Sequence, residues 1–385
     1  MSSLIERAER AADVAGRHAE SVDKGGRFPH EAIAACKEAR LLSAMIPVEF
    51  GGDGASMSDI AEVCAILGQK CASAAMVFAM HQIKASSLIW HGREAPWHQN
   101  FMRRISDEQL LLGSATTEGG IGGDLRSSLC AIEAEGEVFK LTKEGCCISY
   151  GLQSDAILIT ARRAPDSPPS DQVMAILTKD QYTLDLTMPW DSLGMRGTCS
   201  DIFTFSAKAP AEQILPSSFA DIAAQSMLGA AHLLWGSLWY GLAADAVARA
   251  QAFVRAEAKK RPGFQSPGHL RLAEVSNMLQ AMRANVQQGL ARFEAAHQGG
   301  DDLASMGFVV AMNQIKTAAS RAAVDICNHA LLITGIWGYR NNTPYSVGRH
   351  MRDALSSQVM ISNDRILSNV SNMLLMHRVE TRLVG

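Results

Sequence analysis

The residues best suited to chemistry lie in one glycine-rich run, Thr116-Thr117-Glu118-Gly119-Gly120-Ile121-Gly122-Gly123-Asp124. Backbone N–H groups approach anionic oxygens closely only where no Cβ intervenes, so such a run suits a cradle for phosphate oxygens. A glycine-rich β-turn without a ligand is the plainer alternative. Metal and redox-thiol chemistry are not indicated, because none of the eight cysteines belongs to a C-x-x-C pair, and they read as small buried thiols. Cys146 and Cys147 are adjacent, and neighbouring residues of a strand face opposite ways, which argues against a mutual disulfide.

The elements that must position these residues change period twice along the chain. Residues from 4 to about 107 alternate helix-period apolar stripes with short breaks at Pro47, Gly51, Gly52 and Gly54. Ser58 or Asp59 is expected to cap the helix that carries Ile60, Val63, Cys64 and Leu67. From about Gln109 the period becomes two, in LLLGSATT, SLCAIEAEG, EVFKLTKEG, AILITARR, QVMAILT and DIFTFSAK, with PDSPPSD as a surface hairpin. From Ser217 long helices return, at about 218–258, 268–297, 303–333 and 352–382. The fold class expected is therefore α+β: an N-terminal helical domain (1–108), a central antiparallel β-domain (109–212) and a C-terminal four-helix bundle (213–385).

With 385 residues, 47% hydrophobic and 19% charged, the chain can bury a large core. A net charge of −3, with no basic run longer than Lys259-Lys260-Arg261, leaves no electrostatic footprint for nucleic acid. No apolar run reaches the roughly 18 residues that suit a membrane span, and the start MSSLIERAER is not signal-like, so a cytoplasmic location is expected. The C-terminal helices are apolar on more faces than one monomer needs, which points to a homodimer or homotetramer.

Several motifs together resemble the acyl-CoA dehydrogenase superfamily. Met351-Arg352-Asp353-Ala354 matches that family's M-R-D-A block, placed here at the opening of the last helix. LLSAMIPVEFGGDG at 41–54 is similar to an early signature of the family, with Phe50 in place of a tyrosine. The run at 116–124 resembles the family's T-E-P-x-x-G-S-D loop, which implies that Thr117, Gly122 and Gly123 contact a flavin. GCCISYG at 145–151 stands where a family strand flanks the ring, with Cys147 for a tryptophan and Ser149 for a hydroxyl at the N5 edge. Arg196, in LGMRG, matches a residue near the flavin in relatives, with a surface charge as the plainer reading. Arg261-Pro262-Gly263-Phe264 resembles the family's R-x-x-F, whose arginine reaches the FAD pyrophosphate of a neighbouring subunit. Gly335 and Gly338 would complete the adenine side, although Leu332 and Ile336 replace a glutamine and a glycine. The resemblance thus implies bound FAD.

The chemistry implied departs from dehydrogenation. The family's catalytic glutamate, counted on from the MRDA block, falls on Ile361, followed by Ser362 and Asn363. The base of some relatives, on the first bundle helix, falls on Ile222, and a usual arginine on Ala223; only Asp221 is adjacent, one helical step aside. What remains is the chemistry of monooxygenases on this scaffold, in which reduced flavin and O2 oxygenate an acyl thioester or a small aromatic. Ser149, Asn363 and His81 are the candidate hydrogen-bond donors, and a separate flavin reductase is a candidate partner. His81 aligns with a pocket helix, and a hydrogen-bonded structural histidine is its plainer reading. Two other readings stay open: an α,β-dehydrogenase of acyl-CoA or acyl-carrier thioesters with a displaced base, and a non-catalytic FAD- or CoA-binding protein.

Overall fold

A computed structural model describes residues 2–379 and 381, apart from 122–123, 261–262, 264–265 and 300–302. Five helices open the chain: α1 (Leu4–Gly25), α2 (His30–Glu38), α3 (Met57–Lys70), α4 (Ala72–Gly92) and α5 (Pro96–Glu108). The cap of α3 is Ser56 rather than Ser58 or Asp59. Ser56 Oγ accepts the Asp59 N–H, and the Asp59 carboxylate returns to the Ser56 N–H, so the reciprocal pair sets the start two residues earlier. Helix α4 is buried around almost its whole circumference, which makes it a central element rather than an amphipathic cover.

The middle of the chain forms two facing sheets from β1 (Leu112–Ala115), β2 (Glu133–Glu135), β3 (Val138–Ser149), β4 (Ala156–Arg162), β5 (Gln172–Thr178), β6 (Tyr182–Met188) and β7 (Ser200–Pro210). One sheet has the order β1-β4-β5 and the other β2-β3-β7-β6. The β1–β4 pair is parallel and the other pairs are antiparallel. Phe139, Leu141 and Ile148 of β3 pack with Ile157 and Ile159 of β4 and with Phe203 and Phe205 of β7. Strand β6 was not among the expected strands. It lies at the sheet edge with most of YTLDLTM exposed, so no apolar alternation marks it.

In the last third, α6 (Phe219–Ile222) runs through one widened turn, Ala223–Met227, into α7 (Leu228–Lys260). Then come α8 (Pro267–His297), α9 (Met306–Thr334), the short α10 (Ile336–Tyr339), α11 (Gly348–Val359) and α12 (Asn363–Leu374). In space the first and last helical segments share one core, in which Ile60, Val63 and Leu67 of α3 meet Leu238 and Leu242 of α7. A Cβ at Gly68 would collide with Leu238 O, and one at Gly241 with Ala65 O, so these glycines let the two backbones touch.

The expected helix at 352–382 is instead two helices. Helix α11 begins at Gly348, ahead of the MRDA block, and the chain breaks at Met360–Ser362, where Ile361 takes φ 49°. The fully buried Lys316 of α9 explains the break. Its ammonium donates to Ser357 O (3.0 Å), Ile361 O (2.7 Å) and Asn363 Oδ1 (2.8 Å), so it satisfies carbonyls that a continuing helix would have bonded internally. Burial lowers the Lys316 ammonium to about 8, which leaves it charged at neutral pH. Lys316→Met removes all three donors while roughly keeping volume. Chemical denaturation of this variant should show a stability loss of roughly 3 kcal/mol, the cost of stranding buried acceptors of a charged donor; an unchanged midpoint would show that the break does not depend on Lys316.

Candidate functional site

A cavity of 380 Å³ lies where α4, the sheets, the start of α7 and the α11–α12 break meet. Helix α4 contributes Met76, Met80, Ile83 and Lys84, spaced four, three and one apart so that they share one face. The β-region contributes Thr117, Cys147, Ser149, Trp190, Thr198 and Ser200. Met227, His232 and Trp235 close one side, and Val359, Met360 and Ile361 another.

Local folding explains how the β-side residues arrive there. In β3 the register slips between Gly145 and Ile148, and Cys147 adopts φ 55°, a bulge that re-aims the residues after it. Both cysteines of the bulge are free thiols. The Thr117 hydroxyl donates to Cys146 O and ties the glycine-rich loop to this bulge. Glu118 anchors the same loop from behind: its carboxylate accepts from Ser128 Oγ (2.8 Å), Leu129 N (3.1 Å) and Cys130 N (2.7 Å), with Lys143 at 3.8 Å.

Three hydroxyls form a chain along the cavity wall. Thr198 Oγ1 donates to Met195 O (2.9 Å), and this leaves Ser200 to donate to Thr198 (2.8 Å) and Ser149 to donate to Ser200 (2.8 Å). In that order Ser149 shows the cavity only lone pairs. The order can reverse at little cost, because Met195 O also accepts from Trp190 Nε1 (3.2 Å) and Thr198 N (3.1 Å). Reversed, the chain ends on an Ser149 O–H that points at a ligand.

The charges of the cavity are few. Among the described residues that line it there is no Asp or Glu, and Lys84 alone carries a formal charge. Lys84 is 4% exposed, and among the described residues its one hydrogen bond is to Met227 Sδ at 3.3 Å, a weak acceptor. Burial pushes its ammonium down to about 7. His232 Nδ1 meets Met312 O at 3.2 Å, and burial, helped by the Lys316 charge, holds the ring near 4 and therefore neutral at pH 7.

The structure brings only some of the expected site residues together. Thr117 and Ser149 line the cavity, and Ile361 does too, at the place counted for the family's glutamate. His81 does not: its Nε2 donates to Leu42 O (2.7 Å) and its Nδ1 accepts the Leu112 N–H (3.0 Å), so both ring nitrogens fasten backbone. Asn363 is not in the lining either; its amide is held by Lys316 and by Ser320 Oγ (3.0 Å). Arg196 binds Asp23 O (2.9 Å) and Ser192 O (2.8 Å), and so clamps α1 rather than a cofactor. Asp221 is exposed and caps its own helix turn with Ser218, which removes it as a displaced base. Gly335 and Gly338 lie outside the cavity. Gly335 at φ 55°, ψ −134° ends α9, and a Cβ on Gly338 would collide with the Thr334 hydroxyl, so the turn itself requires both. Gly122, Gly123, Arg261 and Phe264 lie outside the described residues. Lys84 was missed, and its signal was in the sequence: it is the only charged residue, histidines aside, in a helix with no polar face.

Apolar walls facing a hydroxyl-lined edge are the surroundings that a flavin ring needs, since its faces are apolar and its edge carries nitrogen and oxygen. Residues 4–105 match the acyl-CoA dehydrogenase N-terminal domain, and residues 222–369 match the acyl-CoA dehydrogenase C-terminal domain. The chain belongs to the acyl-CoA dehydrogenase superfamily and is a flavin-dependent oxidoreductase. It is 24% identical over 355 residues to cyclohex-1-ene-1-carbonyl-CoA dehydrogenase of Syntrophus aciditrophicus, covering 91% of this chain and 83% of the relative. It is 25% identical over 346 residues to a probable FMNH2-dependent monooxygenase, SfnC, of Pseudomonas putida, covering 84% of each. The crystal structure of FMN-bound TdsC from Paenibacillus sp. A11-2 shares the fold, with a TM-score of 0.86 at 20% identity over 98% of both chains.

The structural role of His81 is open to measurement. His81→Ala strands a buried N–H and a buried carbonyl and should lower stability by about 2 kcal/mol, while flavin binding per folded molecule stays unchanged. Its folded value near 4 lies below the ordinary 6.5, so its contribution is present above pH 6.5 and fades as pH falls toward 4. His81→Gln should flatten that acid limb of the stability curve. Loss of turnover without loss of stability would restore His81 to the chemistry.

Proposed function

We propose that this protein oxygenates a small substrate with a reduced flavin and O2. One observation carries the reading: no carboxylate lines the cavity among the described residues, and Ile361 stands where a proton-abstracting glutamate is expected. The α-proton of an acyl thioester is a weak acid, and a base misplaced by even a helical step loses most of its effect. Bound flavin supplies the reducing electrons that activate O2. The protein's part is to exclude water with Met76, Met80, Val359 and Ile361, and to present the Ser149 hydroxyl, backed by Ser200 and Thr198, as a proton donor at the cavity wall. The name of SfnC gives independent support for this class.

FAD is the proposed flavin, on the resemblance of Arg261-Pro262-Gly263-Phe264. FMN, named for SfnC and TdsC, is the alternative, and acid release followed by chromatography separates the two. Arg261→Ala should lower FAD occupancy and weaken a homo-oligomer together. The exposed Leu332, Ile336, Trp337 and Tyr339 around the Gly335 turn supply an apolar patch suited to such an assembly. Reducing equivalents would come from a separate flavin reductase.

Rapid mixing tests the reaction. Saturated acyl-CoAs should not bleach the oxidised flavin anaerobically, and chemically reduced flavin with 18O2 should place one labelled oxygen in product. Ser149→Ala should cut coupled turnover by about 100-fold and raise hydrogen peroxide release, the usual scale for losing one positioned donor in a dry site. Anaerobic bleaching with formation of an enoyl product would return the protein to the dehydrogenases, and a redox-active flavin without any turnover would leave a binding protein.

A further inference from the structure

We infer that Lys84 is the recognition point for an anionic oxygen group on the substrate, a carboxylate or a sulfinate, rather than for a neutral thioester. The inference rests on the reading that this cavity receives the substrate.

A buried ammonium without an anion is costly, and folded proteins ordinarily pair it or do without it. Lys84 is 4% exposed, faces a cavity, and among the described residues has no carboxylate or second cation acting on it; burial is what lowers its proton affinity. Its hydrogen bond to Met227 Sδ uses one of three N–H groups on a soft, weak acceptor. Met227 is brought there by the widened turn between α6 and α7. One cavity thus holds an ammonium without a strong acceptor among the described residues, beside Met76, Met80 and Ile83. A ligand with an anionic oxygen group and an apolar body answers the ammonium and the apolar wall together. An arriving anion also raises the proton affinity of Lys84 and so keeps it charged.

The same geometry accounts for what the cavity lacks. An anionic substrate would be repelled by a carboxylate, and no carboxylate lines the cavity among the described residues.

The test measures binding to the oxidised, flavin-loaded protein through changes in flavin absorbance, so it does not depend on oxygenation. Benzoate is compared with benzamide, and benzenesulfinate with methyl phenyl sulfoxide; the two pairs separate a carboxylate from a sulfinate preference. In the wild type at least one anion should bind about tenfold to hundredfold more tightly than its neutral counterpart. Lys84→Met should abolish that preference without weakening the neutral ligand, and Lys84→Arg should retain part of it. Should Lys84→Met fail to fold, the wild type alone suffices: the anion preference should fade as pH rises above 7 and Lys84 loses its proton. Among the described residues, His232, neutral throughout that range, and Cys147, whose thiol burial pushes up, are the other titratable side chains on the lining, and neither gains positive charge there. Equal binding of anion and neutral ligand overturns the proposal, as does a preference that survives in Lys84→Met. A shift in flavin reduction potential on Lys84→Met, with the anion preference intact, overturns it too and assigns the ammonium to the flavin. Anion preference without any oxygenated product would sink the monooxygenase reading and leave the anion site standing.

Discussion

The arrangement of this molecule around its cavity depends on one buried ammonium. Lys316 places its three N–H groups on two carbonyls and one amide oxygen at the junction of α11 and α12, and this allows a helix to stop inside a bundle without orphaned acceptors. Because the chain stops there, Ile361 takes a left-handed backbone that a β-branched residue rarely adopts, and Val359, Met360 and Ile361 turn toward the cavity. The same charge reaches His232 and helps burial to keep that ring neutral. One lysine therefore shapes a wall, sets a backbone strain and biases a protonation state.

A second buried lysine has the opposite character. Lys316 is saturated by oxygens of the protein, and Lys84 has a thioether. Both side chains sit in surroundings of low polarity, where a charge is stable only with compensation. The difference between them is the difference between a group that holds the fold and a group left to meet something else.

The scaffold is also defined by close approach. Glycines at 68 and 241 let α3 and α7 share a core, and the Met195 N–H donates to the buried Asp353 carboxylate (2.6 Å), which seats the LGMRG segment against α11. Burial raises that carboxyl to about 6. The MRDA block thus earns its place in the fold partly through Asp353, whatever reaction the cavity supports. These joints at Gly68, Gly241 and Asp353 do not involve residue 361.

Much of this was legible in the chain itself. Period and turn residues located the three long C-terminal helices before the MRDA block and six of the seven strands of the described residues, because those signals are local, whereas the cap of α3 and the extent of the last helix were misplaced. The motif series placed the chain in its superfamily. The edge strand at Tyr182–Met188 was not legible, since an exposed strand has no apolar face to betray it. Nor was the break at Ile361, whose cause is a side chain 45 residues earlier on another helix. Thr117 and Ser149 could be assigned to the cavity because each follows directly from a motif on the β-region. His81 and Asn363 could not be placed, because a buried polar side chain has several hydrogen-bonding partners within reach, and only the packing of α4 against β1 and of α9 against α12 decides which ones it meets. Residue type and spacing set which groups were available for chemistry; the tertiary contacts decided which of them reached the cavity, since burial and partnership are properties of distant segments brought together.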